Sequence, residues 1–183
     1  GTGNRMTRVT PMSVSGVSAD LAYPGWISLQ RSRPMDKQDI RDLRQWHVDA
    51  AKRAKSAGFD IIYTYTGMSF GPYQFLLPWL NKRTDEYGGS LENRIRLTRE
   101  ILEDMKAAVG DTCAVALRFS TEDLLKLPSD NYESEAHEVI SLLSDLPDLW
   151  DVKSAEWTVE TVSARFSESG AQEDRKSTRL NSS

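Results

Sequence analysis

The sequence reads Gly-Phe-Asp-Ile-Ile-Tyr-Thr-Tyr-Thr-Gly at residues 58–67 and Asn-Lys-Arg-Thr-Asp-Glu-Tyr-Gly-Gly-Ser-Leu-Glu-Asn-Arg-Ile-Arg at residues 81–96. The first stretch holds a run of β-branched and aromatic residues from Asp60 to Tyr65, which predicts a β-strand. The second stretch is polar as far as Ser90, whose hydroxyl is suited to cap a helix that begins with the next residue. The order strand, polar loop, capped helix is typical of α/β proteins.

Helical periodicity continues on both sides of this segment. Asp36 predicts the start of a helix that Gly58 ends, and its apolar positions recur at helical spacing, at Ile40, Leu43, Trp46, Ala50, Ala54 and Ala57. The helix that Ser90 caps is expected to end at Gly110 and to bury a stripe made of Ile95, Thr98, Ile101, Leu102, Met105 and Val109. A third helix is predicted from about Glu133 to Leu146.

Two further strands are predicted at Cys113–Phe119 and Leu149–Val152, and the first is mostly apolar, as in a strand covered on both faces. Residues 1–34 are rich in Gly, Ser, Thr and Pro and predict a long loop. Strands that alternate with helices indicate a parallel sheet, in either a doubly wound fold or a (β/α)8 barrel. No strand is followed by the spaced glycines of a dinucleotide-binding fingerprint, which disfavours the nucleotide-binding doubly wound fold.

The composition is that of an ordinary globular domain, with 39% hydrophobic residues and a net charge of −4. The mild acidity predicts no nucleic-acid or anionic-membrane partner, and no apolar run reaches the about 20 residues that span a bilayer. The single cysteine, Cys113, excludes a disulfide within the chain and an iron–sulfur cluster built from this chain alone. Two distant histidines, His47 and His137, predict no metal site. A cytoplasmic location is expected.

The residues of 81–96 carry a family resemblance. Their pattern is similar to the FMN oxidoreductases of the old yellow enzyme superfamily, and within it to the trimethylamine and dimethylamine dehydrogenase branch. The most family-specific positions are expected to be structural: Asn81, Arg83, Asp85, Tyr87, Gly88, Gly89, Ser90, Asn93 and Arg94. The resemblance covers about residues 35–172. It favours the (β/α)8 TIM barrel over the doubly wound fold, and this chain would supply about strands 4–6 of that barrel.

The resemblance also divides the chain. Residues 1–34 would be the loop after barrel strand 3, and residues 35–173 the central part of a TIM-barrel flavin domain. Residues 174–183 read Asp-Arg-Lys-Ser-Thr-Arg-Leu-Asn-Ser-Ser, which is the in-frame translation of a widely used sequencing adapter. We therefore expect this tail to be foreign and the natural gene to continue past about Glu173. A chain truncated in this way is expected to be inactive by itself.

In a (β/α)8 barrel, the active-site residues lie where the strands end and the loops that follow them begin. Arg118 ends an apolar strand and needs an anion or a strong acceptor, which a salt bridge to an acidic loop residue would supply. In the family that it resembles, an arginine at this position lies beside the flavin N1 and C2 carbonyl, so the resemblance makes Arg118 a cofactor-binding residue. Tyr65 ends the first strand and matches a catalytic tyrosine of the amine dehydrogenase branch; simple packing is the alternative.

Four further positions bear on the substrate site. Met68 is a substrate-binding position where the family has His or Asn, and it departs from both. Phe70 stands where ene reductases often carry a proton-donating tyrosine, and phenylalanine has no proton to donate. The resemblance also implies that Trp157 would hold a methylated ammonium by cation–π attraction, because the amine branch has a tryptophan in the similar loop. Glu160 lies where the amine branch has a catalytic aspartate that helps deprotonate the amine.

The sequence thus predicts an FMN-dependent oxidoreductase that acts on a small methylated amine, with an iron–sulfur cluster possible in a C-terminal part outside this chain. An ene reductase or 2,4-dienoyl-CoA reductase on the same barrel is the alternative among enzymes. A non-catalytic paralogue or an inactive truncated fragment is the alternative of another class. The partner is a small-molecule substrate, and whether the flavin exchanges electrons with another protein or with NADPH is left open.

Overall fold

A computed structural model describes residues 10–16, 32–67, 71–120 and 132–153. Within these ranges the strands and helices follow one another in an alternating order. The elements are β1 Met12–Ser13, β2 Arg33–Pro34, α1 Lys37–Ser56, β3 Ile61–Thr66, α2 Gly71–Leu76, α3 Leu91–Val109, a 3-10 turn Gly110–Thr112, β4 Ala114–Ser120, α4 Tyr132–Leu143 and β5 Leu149–Lys153.

The main sheet has three parallel strands in the order β3-β4-β5. Helix α3 connects β3 to β4 and covers one face of the sheet with its buried apolar side chains. Thr64 points to this covered face, where its hydroxyl donates to the sulfur of Met105 at 3.0 Å. The opposite face is open at Ile61, Tyr63 and Leu149, which are 44%, 51% and 44% exposed. The expected parallel sheet is confirmed, and the fold is part of a (β/α)8 barrel.

Helix α1 begins and ends where its capping residues predict. The carboxylate of Asp36 accepts from the backbone N–H of Asp39, and the carboxylate of Asp39 accepts in return from the N–H of Asp36. These reciprocal bonds form a capping box, which satisfies two N–H groups that the first helical turn leaves unpaired. Gly58 follows the last turn with φ +86°, a conformation that favours glycine.

The buried face of α1 differs from the predicted stripe. Trp46 is 52% exposed, and Ile40 and Ala51 are the residues of this helix that are fully buried. The helix packs against α3, where Arg44 forms ion pairs with Asp104 at 2.7 Å and with Glu100 at 3.0 Å. The polar residue Arg44 therefore lies on the face of α1 that contacts α3, which apolar spacing alone does not indicate.

Three short elements were not predicted from the sequence. The short strands β1 and β2 pair in parallel within the stretch that was expected to be loop, with Met12 opposite Arg33. Helix α2 follows β3, and Pro72 to Leu76 are all buried in it. Elements of two to six residues carry too little periodicity to be recognised, and packing against α3 and β3 stabilises α2 instead.

The loop before α3 is tied to its surroundings by polar side chains. The amide of Asn81 donates to the carbonyls of Phe75 and Tyr87 at 2.7 and 2.8 Å. The guanidinium of Arg83 pairs with Asp85 and donates to the carbonyl of Val14 at 3.2 Å. Ser90 caps α3 by accepting from Asn93 N–H at 3.3 Å. These contacts agree with the structural role that was expected for the family-specific residues.

Arg94 is the most deeply buried charge of this region, at 4% exposure. Its guanidinium donates to the carbonyls of Leu76 and Gly89 and to the carboxylate of Glu135 on α4. One buried cation therefore joins the end of α2, the loop and α4.

Candidate functional site

The carboxyl ends of the three strands bring one side chain from each strand into a row. The pairing register places Tyr65 of β3 opposite Arg118 of β4, and Arg118 opposite Asp151 of β5. Residues that are opposite one another in a sheet point to the same face. The three side chains therefore share the open face, at the end of the sheet where barrel chemistry takes place.

Tyr65 and Arg118 are in contact through the aromatic ring. The central guanidinium carbon of Arg118 lies over the ring of Tyr65, 5.9 Å from its centroid. This distance is within the range of about 6 Å over which a cation is attracted to the face of an aromatic ring. Two residues that sequence reasoning singled out for different roles, one for the substrate and one for the cofactor, are thus direct neighbours.

Asp151 approaches Arg118 from the other side. The Nε of Arg118 lies 3.7 Å from Oδ2 of Asp151, which is close enough for an ion pair but too long for a hydrogen bond. The two side chains are 45% and 33% exposed. Within the described part of the chain, no acceptor takes a hydrogen bond from the guanidinium.

Two buried hydroxyls lie at the carboxyl ends of the same strands. Thr66 and Ser120 end β3 and β4, and among the described residues neither hydroxyl has a hydrogen-bond partner. The backbone around them is closely packed, because a Cβ on Gly67 would lie 3.1 Å from Cβ of Ser120. The hydroxyl of Tyr73 on α2 donates to the carbonyl of Ser120 at 2.9 Å, and this bond fixes the end of β4.

The other predicted site residues lie outside the described ranges. Met68 and Phe70 fall in residues 68–70, and Trp157 and Glu160 fall in residues 154–183. The structure therefore brings together Tyr65 and Arg118, and the roles of the other residues stay predictions. Sequence reasoning missed Asp151, although a carboxylate within the apolar strand 149–152 is a signal that could have found it.

The described residues show neither a metal centre nor a membrane-spanning helix. In residues 10–16, 32–67, 71–120 and 132–153, no three histidine, cysteine or acidic side chains come together as a metal site. None of the helices in the same ranges combines the length and the apolar character that crossing a bilayer demands. His47 lies on α1 with its Nδ1 2.8 Å from the carbonyl of Leu43, far in sequence from the strand ends.

Comparison with known proteins identifies the family. The sequence profile of the NADH:flavin oxidoreductase / NADH oxidase family matches residues 3–182, and the chain belongs to this family. The match extends into the tail at residues 174–182, whose foreign origin stays a prediction.

Three relatives illustrate the range of similarity. Dimethylamine dehydrogenase of Hyphomicrobium sp. is 37% identical over 146 residues, which are 78% of this chain and 20% of that protein. An NADPH dehydrogenase of Clostridium acetobutylicum is 37% identical over 143 residues, 76% of this chain and 42% of that protein. The structure of 6-hydroxypseudooxynicotine amine oxidase from Pseudomonas geniculata is 42% identical with a TM-score of 0.73, over 84% of this chain and 22% of that one. The chain thus spans less than half of the length of each of these relatives.

Proposed function

We propose that this chain is part of an FMN-dependent oxidoreductase that oxidises a C–H bond next to the nitrogen of a small methylated amine. The observation that carries the proposal is the contact between Tyr65 and Arg118 at the carboxyl ends of neighbouring strands. Sequence identity alone does not distinguish between candidate substrates, because dimethylamine dehydrogenase and an NADPH dehydrogenase are both 37% identical to this chain. Tyr65 does favour the amine, since the amine branch has tyrosine where ene reductases have histidine.

Arg118 fits the cofactor that the family requires. Its guanidinium lies on the open face, with donors that no described residue uses. A fixed positive charge of this kind stabilises negative charge that develops on a bound ring during reduction. When bound, FMN supplies the acceptor for the two electrons that leave the substrate. Arg118 would hold it by donating to its ring carbonyl.

The position of Arg118 also constrains where the amine binds. The guanidinium lies over the ring of Tyr65. A substrate ammonium cannot occupy that position, and it is repelled by the like charge there. We therefore assign the aromatic face for the ammonium to Trp157, which follows β5 in the sequence. Tyr65 offers its hydroxyl rather than its ring to the substrate.

Two further roles complete the proposed site. Glu160 accepts the proton that the ammonium must lose before its C–H bond is oxidised, because a protonated nitrogen has no lone pair to assist the reaction. Met68 contributes an apolar, polarisable contact for the N-methyl groups. These assignments rest on the family pattern of the sequence.

Reduction of an activated alkene is the second candidate. It is favoured by the 37% identity to an NADPH dehydrogenase over 76% of this chain. Phe70 weighs against it, because this position in ene reductases often carries a proton-donating tyrosine and phenylalanine donates no proton. The proton would then have to come from water or from another side chain.

Anaerobic reduction of the FMN-loaded oxidoreductase distinguishes the two candidates. The complete flavoprotein is mixed separately with dimethylamine, trimethylamine and NADPH, and loss of flavin absorbance is followed. We expect bleaching by an amine. Bleaching by NADPH, followed by reoxidation with an enone and no response to amines, would support the alkene reductase instead.

Matched variants test the residue assignments. Trp157→Ala is expected to weaken amine binding and to leave the FMN content unchanged. Tyr65→Phe is expected to slow bleaching by amine, whereas Tyr63→Phe, two residues earlier on the same face of β3, is the control. Unchanged amine kinetics in both Trp157→Ala and Tyr65→Phe would refute the assigned site.

A further inference from the structure

The ion pair between Arg118 and Asp151 suggests a role for the carboxylate. We propose that Asp151 is a positioning residue for Arg118, and that its negative charge limits how strongly the guanidinium favours reduced FMN. This inference rests on the FMN-binding part of the proposed function and is independent of the amine substrate.

Arg118 is held between two neighbouring strands. Tyr65 lies on one side with its ring 5.9 Å from the guanidinium carbon, and Asp151 lies on the other with Oδ2 3.7 Å from Nε. The carboxylate approaches the Nε edge, which leaves the two terminal NH2 groups free to point away from it. Because the guanidinium is planar, a carboxylate that faces its Nε edge favours an orientation in which the terminal donors lie on the other sides.

The carboxylate that directly precedes β5 has other partners. Asp148, just before β5, accepts from Lys106 Nζ and from the backbone N–H of Val115, both at 2.8 Å. Within the described residues, Asp151 is the acidic side chain that forms an ion pair with Arg118. The partner of Arg118 is thus a strand residue in register with it, and the pairing of β4 with β5 fixes its position.

The charge of Asp151 acts against that of Arg118. FMN gains negative charge on reduction, and an isolated guanidinium would attract that charge with the full unit charge of the cation. A carboxylate next to it turns the pair into a dipole with no net charge, whose attraction at the ring is smaller. Removing the carboxylate should therefore raise the midpoint potential of bound FMN, because the reduced form gains more from Arg118 than the oxidised form does.

The test is the midpoint potential of FMN in the complete flavoprotein, measured by chemical reduction against a reference dye. We expect Asp151→Asn to raise the ratio of reduced to oxidised FMN about tenfold at a fixed potential. For a two-electron couple this is an increase of about 30 mV in the midpoint potential. Asp151→Glu keeps the charge and should stay close to the unaltered protein. Asp148→Asn is the control, because it removes a carboxylate of the same type at the opposite end of β5.

Each outcome decides the inference. A rise in Asp151→Asn alone supports it. No change in Asp151→Asn, a fall, or an equal rise in the Glu or the Asp148 variant overturns it, because the effect would then not follow the charge at this position. A flavoprotein that no amine reduces contradicts the proposed substrate, and the potentials of these variants still decide the role of Asp151.

Discussion

The ring of Tyr65 and the guanidinium of Arg118 lie 5.9 Å apart on adjacent parallel strands. Contacts of this type contribute about 0.5–1 kcal/mol at exposed sites. Their larger consequence is geometric, because the expected substrate residue and the expected cofactor residue restrict one another's position. Substitution of either residue should therefore alter both the substrate site and the FMN site.

Arg118→Met should weaken FMN binding. Removal of a hydrogen bond to a charged group costs about 1.5–3 kcal/mol, which corresponds to a loss of about 10- to 150-fold in affinity. The measurement is titration of the FMN-free flavoprotein with FMN, followed by flavin fluorescence. Arg99→Met, on the exposed side of α3, is the control. Equal affinity in the two variants would contradict the assignment of Arg118.

Arg94→Ala should destabilise the protein by about 3–5 kcal/mol. The substitution leaves the carboxylate of Glu135 and the carbonyls of Leu76 and Gly89 without their donor in a buried environment. Denaturant unfolding measures the change in the free energy of unfolding. Arg41→Ala is the matched control, because Arg41 bonds within its own helix to Gln38, and it should cost less than about 0.5 kcal/mol. A similar loss in both variants would show that the buried network is not the cause.

Gly88→Ala should be more destabilising than Gly89→Ala. A Cβ at Gly88 would lie 2.2 Å from the carbonyl oxygen of Arg83, so the backbone of the loop must move. A Cβ added at Gly89 would meet open space, and the φ there is +83°. Alanine at this position therefore costs only the backbone strain of about 1–2 kcal/mol. Thermal unfolding of the two variants gives the order. The reverse order would contradict the close approach of Arg83.

Acid should weaken the start of α1 through Asp39. The hydrogen bonds from Arg33 lower the pKa of Asp39 from 3.8 to about 2. Folding thus favours the ionised carboxylate. Its contribution to the free energy of unfolding is complete above about pH 4 and is lost as the pH falls through about 2. The stability difference between the unaltered protein and Asp39→Asn should shrink as the pH is lowered over this window. A difference that stays constant from pH 6 to pH 2 would refute the assignment.

The 183-residue chain alone should not hold FMN. Within the described residues, β3 and β5 each pair with β4 only, and Ile61, Tyr63 and Leu149 are exposed on the open face. Phosphate sites of such barrels are usually built after strands 7 and 8. One charged hydrogen bond from Arg118 contributes about 1.5–3 kcal/mol, whereas micromolar affinity needs about 8 kcal/mol. Isothermal titration that finds a stoichiometric micromolar complex would contradict this.

The strands of the main sheet could be placed from the sequence to within one residue. The predicted strand from Asp60 to Tyr65 is observed at Ile61–Thr66, and the one from Cys113 to Phe119 at Ala114–Ser120. These signals are local, because β-branched runs and capping residues act over a few positions. The short helix α2 has no such signal, since its burial depends on neighbours that are distant in sequence.

The sequence by itself determined the alternation of strands and helices and the caps at Asp36 and Ser90. It also predicted Tyr65 and Arg118 as site residues. The tertiary structure alone decided that these two side chains touch and that Asp151 completes their row. The physical reason is register. A shift of one residue turns every side chain of a strand to the other face, and the pairing that prevents it is set by packing between strands that are far apart in the chain.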